Sequence, residues 1–340
     1  MKRAWAFGAL ALLASNAAAD EACGPLKIIG RATMISTEGA LLVPATVNGL
    51  PTKMIIDTGG WYRQLFPVIQ DKLKLPTTRR NIVALDITGR KTDKTVTVAD
   101  FEIGTFKVKY VPFYVPETGL DDQIGGLMGP QMFTIVDLDL DFDSKTVNFI
   151  SQDHCEGKVV YWKTPAYAAI PFTLGNDGHV RIPVEVDGRK FTALLDTGAS
   201  GSLMTFRAAE EVFGITKDSP GVTKSGYVNG DTHAEEYQRT FKTLTIAGIT
   251  FNNPTLALIP DLMRNHMIND HRPPINSHID TNPDTEGVDD VIVGLEELRH
   301  LHVYIAYKEQ KVYISPIAPS SSEAAPTPPG DQPNSPEGPR

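Results

Sequence analysis

The chain has 340 residues, with 41 acidic against 32 basic side chains and a formal net charge of −9 at neutral pH. A balance that acidic argues against nucleic acid or an anionic membrane surface as a partner. The length is enough for two domains of ordinary size.

From the N-terminus, Met1-Lys2-Arg3, the apolar run over 4–14 and Ala17-Ala18-Ala19 read as a bacterial-style secretory signal peptide spanning 1–19. That run is too short to stay in a bilayer as a spanning helix, and no later run is long enough. The sequence therefore predicts an exported product, periplasmic or secreted, without stable membrane insertion. Cys23 lacks the upstream Leu of a lipoprotein box. In an oxidising compartment Cys23 and Cys155 are the only possible intramolecular disulfide pair, tying the start of the mature chain to the segment after residue 150. Neither is placed as a catalytic thiol would be, among His and Asn partners.

Met54-Ile55-Ile56 is apolar on both sides of the pleat, as a buried strand is, and it ends in Asp57-Thr58-Gly59. Leu65 opens an amphipathic segment over 66–75 that reads as a short helix. Residues 86–95 have the composition of an exposed hairpin. Strand-like runs follow, ending in Phe101-Glu102-Ile103-Gly104 and Phe113-Tyr114-Val115, and then the hydrophobic–hydrophobic–glycine motif Leu127-Met128-Gly129. Residues 136–142 alternate with period two. Their acidic face has the look of a calcium site, but the simpler reading is an exposed strand face, because residues 302–307 occupy the same place in a second copy without the acids. Residues 151–173 read as a linker.

The series then recurs. Ala193-Leu194-Leu195 ends in Asp196-Thr197-Gly198, 139 positions after the first motif. Met204 opens a second short helix over 205–215, residues 225–235 suit a second hairpin, and Leu244-Thr245-Ile246-Ala247-Gly248 and Ala257-Leu258-Ile259 echo the earlier strands. Ile292-Val293-Gly294 repeats the glycine motif at an offset of 165, the increase falling mostly in residues 261–287. A repeat this long is a duplicated domain rather than a solenoid array. Residues 261–287 contain His266, His271 and His278 among several prolines and asparagines, which suits a long surface loop better than the fixed geometry of a metal site. His300 and His302 are expected near the C-terminus of a helix that follows Gly294. The Pro- and Ser-rich residues 316–340 should be a disordered tail. No Ser-His-Asp arrangement, P-loop or dinucleotide fingerprint is present, and neither a metal nor a cofactor is expected.

Two equivalent units, each placing one carboxylate at the end of a buried strand, suit one chemistry in particular. Two carboxylates about 3 Å apart cannot both ionise, so they share a proton. The ionised member takes a proton from water while the protonated one polarises a carbonyl, and their titration belongs to the pair. Gly59 and Gly198 allow the tight turns and the close approach of backbone to the acids.

With both Asp-Thr-Gly and both hydrophobic–hydrophobic–glycine motifs in place, the chain resembles the retropepsin- and pepsin-like aspartic proteases from about residue 41 to 317. Leu194-Leu195-Asp196-Thr197-Gly198-Ala199-Ser200 is similar to the retroviral active-site loop, and the spacing suits two small retropepsin-type units in tandem. The resemblance implies an all-β fold of two tandem β-barrel domains related by a pseudo-twofold axis, with a few short helices. Its expected organisation is the signal over 1–19, a first domain over 20–155, a second over 156–318 and the tail over 319–340. It also implies an aspartic endopeptidase that hydrolyses peptide or protein substrates, with Asp57 and Asp196 activating water in a cleft between the domains. Thr58 and Thr197 would hydrogen-bond across the axis, Gly59 and Gly198 would support the loops, and hairpin flaps at 86–95 and 225–235 would cover the cleft. Tyr227 is a flap aromatic or a surface tyrosine; Trp61 is a subsite wall or core packing. Pepsins place Ser or Thr after Asp-Thr-Gly, whereas this chain has Gly60 and Ala199, so its pair should hold its protons to higher pH. Two rivals are a retired peptide-binding protein, which the two intact motifs disfavour, and a protease active only as a homodimer. The linker gives pairing within one chain the higher effective concentration, hence a monomer.

Overall fold

The computed structural model describes residues 23–60, 62–85, 91–174, 177–230, 232–260 and 289–317. The signal segment, Trp61, the 86–90 tip of the first hairpin, the 261–287 loop and the tail beyond residue 317 lie outside them. Strands dominate the described residues and form three sheets of seven, nine and six strands.

The seven- and nine-stranded sheets are two versions of one plan. Each begins with a tight hairpin: Leu42–Val47 against Leu50–Ile56, and Arg181–Val186 against Arg189–Leu195. The turns are Asn48-Gly49 and Asp187-Gly188, with φ of 47° and 82°, and of 47° and 74°. Two consecutive positive φ angles make the turn whose twist matches that of the flanking strands, and Asn-Gly and Asp-Gly are the pairs that adopt it most readily. The second strand of each hairpin then pairs in parallel with a short apolar strand, Ile124–Met128 in the first copy and Val291–Val293 in the second. Parallel strands covered on both faces have to be apolar throughout, which is why these runs lack alternation.

The two predicted helices are present as Pro67–Leu73 and Phe206–Phe213. The first starts on a proline, whose missing N–H is harmless in the first turn. The second starts at Thr205, whose hydroxyl accepts from the Ala208 N–H at 3.2 Å, and it ends at Gly214 in the left-handed region.

The six-stranded sheet takes strands from both copies. Its order is Ile28–Thr33, Thr146–Ile150, Asp137–Asp141, Leu301–Ala306, Lys311–Pro316 and Ala168–Pro171. The copies meet where Asp137–Asp141 pairs antiparallel with Leu301–Ala306, Asp139 lying opposite Tyr304. This corrects the expectation of an exposed acidic face, because Asp137 and Asp139 are fully buried. The strand is central rather than at an edge, and the linker covers its acidic side. Asp137 accepts from His154 Nε2 at 2.5 Å, the Tyr304 hydroxyl at 3.1 Å and the Tyr307 N–H at 3.0 Å. Asp139 accepts from Asn148 Nδ2 at 2.7 Å and from the Tyr161 hydroxyl, with His302 Nε2 2.6 Å away. Buried acids persist only when their lone pairs are used in this way. His302 is likewise not at a helix end. It is the second residue of Leu301–Ala306, its ring stacked on Trp162 with centroids 4.0 Å apart, and only His300 follows the helix Leu295–Leu298. The Cys23–Cys155 disulfide closes the same region, joining the chain ahead of Ile28–Thr33 to the start of the linker.

Asp139→Leu should therefore cost on the order of 3 kcal/mol or more, since it strands several buried donors at about 1–3 kcal/mol each. Urea unfolding measures this. The exposed Asp143→Leu control should change stability by less than about 0.5 kcal/mol.

Candidate active site

Each Asp-Thr-Gly loop is held at its base by the neighbouring glycine motif. The N–H of Asp57 donates to the Met128 carbonyl and that of Asp196 to the Val293 carbonyl, both at 3.0 Å. Each motif thereby fixes one aspartate backbone at the end of a buried strand.

The threonines join the two loops. Thr58 Oγ1 donates to the Leu195 carbonyl at 2.7 Å and accepts from the Thr197 N–H at 3.1 Å. Thr197 Oγ1 donates to the Ile56 carbonyl at 2.6 Å and accepts from the Thr58 N–H at 3.2 Å. Both threonines are buried, so water does not compete for these four bonds. The glycines complete the arrangement: a Cβ on Gly59 would overlap the Asp196 carboxylate, and one on Gly198 would overlap that of Asp57. Each loop leaves room for the acid of the other.

The result is that the two carboxyl groups face each other closely enough for each to shift the other's titration. Burial raises the Asp57 pKa well above the ordinary value, and the negative charge of Asp196 raises it further against the opposing Gly60 and Gly59 N–H groups. Burial raises Asp196 too, but the Gly198 N–H at 2.7 Å, the proton of Asp57 and the nearby ring of His179 all favour its anion. Both carboxyls are thus held above the ordinary range, and the proton they share belongs to the pair.

The carboxyl groups form the floor of a cleft of about 520 Å³ whose walls come from both copies, including Gln64, Phe66 and Leu127 from the first and Leu203, Val228 and Ile292 from the second. Hairpins stand where flaps were expected. Thr78–Leu85 pairs with Lys91–Ile103, and Thr223–Tyr227 with Glu235–Thr240. On the second hairpin Val228 lines the cleft, whereas Tyr227 is exposed with Lys224 Nζ 4.5 Å above its ring.

Sequence reasoning passed over His179. It is buried in the cleft wall with Nε2 3.2 Å from the Gly60 carbonyl. The repeat did carry a signal: Gly178-His179-Val180 follows Gly39-Ala40-Leu41 at the 139-residue offset, so a histidine replaces an alanine in otherwise matching surroundings.

A family model described as aspartyl protease matches residues 43–131 and 182–296, once in each copy of the repeat and over more than half of the chain. The chain belongs to the aspartyl protease family. No individual curated protein matches it.

The raised pKa of Asp57 has a consequence for stability. At pH values below the ordinary 3.8 the carboxyl is protonated whether the chain is folded or not, and burial carries no ionisation penalty. As pH rises from there towards the folded value, the unfolded chain ionises freely while the folded one resists, so stability falls. Asp57→Asn removes that loss. Its melting temperature should exceed wild type by a few degrees at pH 7, at roughly 2–4 °C per kcal/mol, and converge with wild type near pH 3.

Proposed function

We propose that the chain is an exported, single-chain aspartic endopeptidase in which Asp57 and Asp196 activate the attacking water. The observation that carries this reading is the pair of mutually coupled carboxyl groups at the floor of a cleft lined by both copies. The ionised member of the pair takes a proton from a water held between the acids as its oxygen bonds to the scissile carbonyl carbon, and the protonated member gives its proton to the carbonyl oxygen. The tetrahedral diol then collapses: the acid that took up the water's proton gives it to the amide nitrogen, its partner recovers one from a hydroxyl, and the C–N bond breaks. The threonine bonds hold both acids in position throughout, so little reorganisation accompanies the reaction.

Pairing within one chain is supported by the bonds between Thr58 and Thr197, which use both loops of the same molecule. A monomer acting on peptide or protein substrates follows from the reading. Export is supported by the disulfide, a bond that persists in oxidising compartments. Among the described residues no helix is long and apolar enough to cross a membrane.

Single Asp57→Asn and Asp196→Asn variants should lose cleavage of an unstructured protein by about 10³-fold or more while staying folded. Near wild-type turnover in either would refute the reading. A wild-type protein that binds a transition-state analogue but cleaves nothing would refute it in favour of a binding role.

Because both acids are raised, activity should follow a bell-shaped pH profile centred in the mildly acidic to near-neutral range. A hydroxyl at position 60 cannot be added without displacing Asp57, whose carboxylate a Cβ there would overlap. Position 199 already carries a Cβ, so Ala199→Ser is the informative change. Its hydroxyl should favour the Asp196 anion and move the acid limb of the profile to lower pH.

A further inference from the structure

The two halves of the site differ in how the residue after Asp-Thr-Gly is held. In the second half the Ala199 carbonyl accepts a hydrogen bond from the Leu295 N–H at 2.9 Å, which secures the residue whose own N–H serves Asp196. The repeat partner of Leu295 is Pro130, 165 positions earlier, and proline has no N–H to give. The partner of Ala199 is Gly60, and its carbonyl meets His179 Nε2 at 3.2 Å instead. The partner of His179 in the first copy is Ala40, which offers Ala199 no imidazole. The side chain occurs on the side where the backbone donor is missing.

The ring is firmly mounted. Its Nδ1 lies 3.1 Å from the Asp177 carboxylate and 3.3 Å from Arg181 Nη2. Arg181 is itself tied to Asp177 at 2.8 Å and to Asp289 at 2.7 Å. The charged groups around His179 include Asp177 and Arg181 at Nδ1 and Asp196 of the pair. When protonated, the ring donates from Nδ1 to Asp177 and from Nε2 to Gly60. When neutral with the proton on Nε2, it accepts at Nδ1 from Arg181. The Gly60 carbonyl can only accept, so the contact is made in the states whose Nε2 carries the proton.

Gly60 needs an outside anchor. A Cβ there would overlap the Asp57 carboxylate, and glycine is the residue with the most backbone freedom to lose. Its N–H is one of the two donors that oppose the raised pKa of Asp57.

We propose that His179 is a positioning residue for Asp57, its Nε2–H replacing the backbone donor that Pro130 lacks and so holding Gly60 against the carboxylate. The kinetic part of this inference rests on the reading of Asp57 and Asp196 as the reactive pair; the structural part does not.

Three variants test it. His179→Leu removes the donor, His179→Gln keeps a side-chain N–H without a titrating ring, and His179→Leu combined with Pro130→Ala returns a backbone N–H at the position where the second half has one. Peptide-cleavage kinetics should show kcat roughly 10- to 100-fold lower in His179→Leu, the size of loss a small misplacement produces, with KM little changed. Its pH profile should move upward as Asp57 loses a donor, whereas His179→Gln and the double variant should recover most of kcat. Amide hydrogen exchange at Gly60 reads the same contact without turnover. It should be faster in His179→Leu and return towards wild type in the other two. If His179→Leu does not fold, protection of the Gly60 amide in His179→Gln supports the proposal and its loss overturns it. Wild-type Gly60 exchange in a folded His179→Leu protein overturns it, as does a double variant no better protected than the single one. If Asp57→Asn continues to cleave, the reactive-pair reading fails, and Gly60 exchange still decides this one.

Discussion

Two carboxyl groups of like charge are pressed together on the floor of a cleft, and most of the molecule serves to keep them there. Left alone they would separate or both take up protons, because a close pair of anions in a poorly solvated site is strongly disfavoured. The opposing force is distributed. Main-chain bonds to Met128 and Val293 fix each aspartate, threonine hydroxyls fix one loop to the other, and two glycines remove the atoms that would keep the acids apart. None of these contacts is strong by itself. Together they leave the pair no other arrangement, and the shared proton follows from that confinement.

The loops can meet only if the two halves are held in register, which is the task of the six-stranded sheet. Its midline carries Asp137 and Asp139, both buried, hydrogen-bonded to His154, His302, Tyr161 and Tyr304. Apolar contacts tolerate sliding, whereas these hydrogen bonds are satisfied at one register only. A slip of one residue would strand both acids. The polar layer therefore sets the alignment that the active-site loops inherit.

Much of this was legible in the sequence, because a duplication displays its own architecture. Asp57 and Asp196, the flanking apolar runs, both short helices and the second glycine motif all announce themselves by recurring in order, and each depends on local chemistry. What stayed hidden depends on partners far along the chain. The alternation over 136–142 looks the same whether its acids face water or face His302 and Tyr304, more than 160 positions away. His179 has the same difficulty, since its meaning lies in the missing N–H of Pro130, on an element of the other copy.

Because the six-stranded sheet interleaves the beginning, middle and end of the chain, synthesis imposes an order on its assembly. Asp137–Asp141 is made long before Leu301–Ala306 and has to wait as an unpaired edge while the second copy emerges. An apolar strand in that position would invite pairing with any passing chain. The two acids that later lie buried at the midline are, during that interval, charges on an open edge, and charge is a common means of keeping such edges solitary. The side chains whose charge disfavours stray edge pairing are the same ones that make the midline hydrogen bonds between the copies.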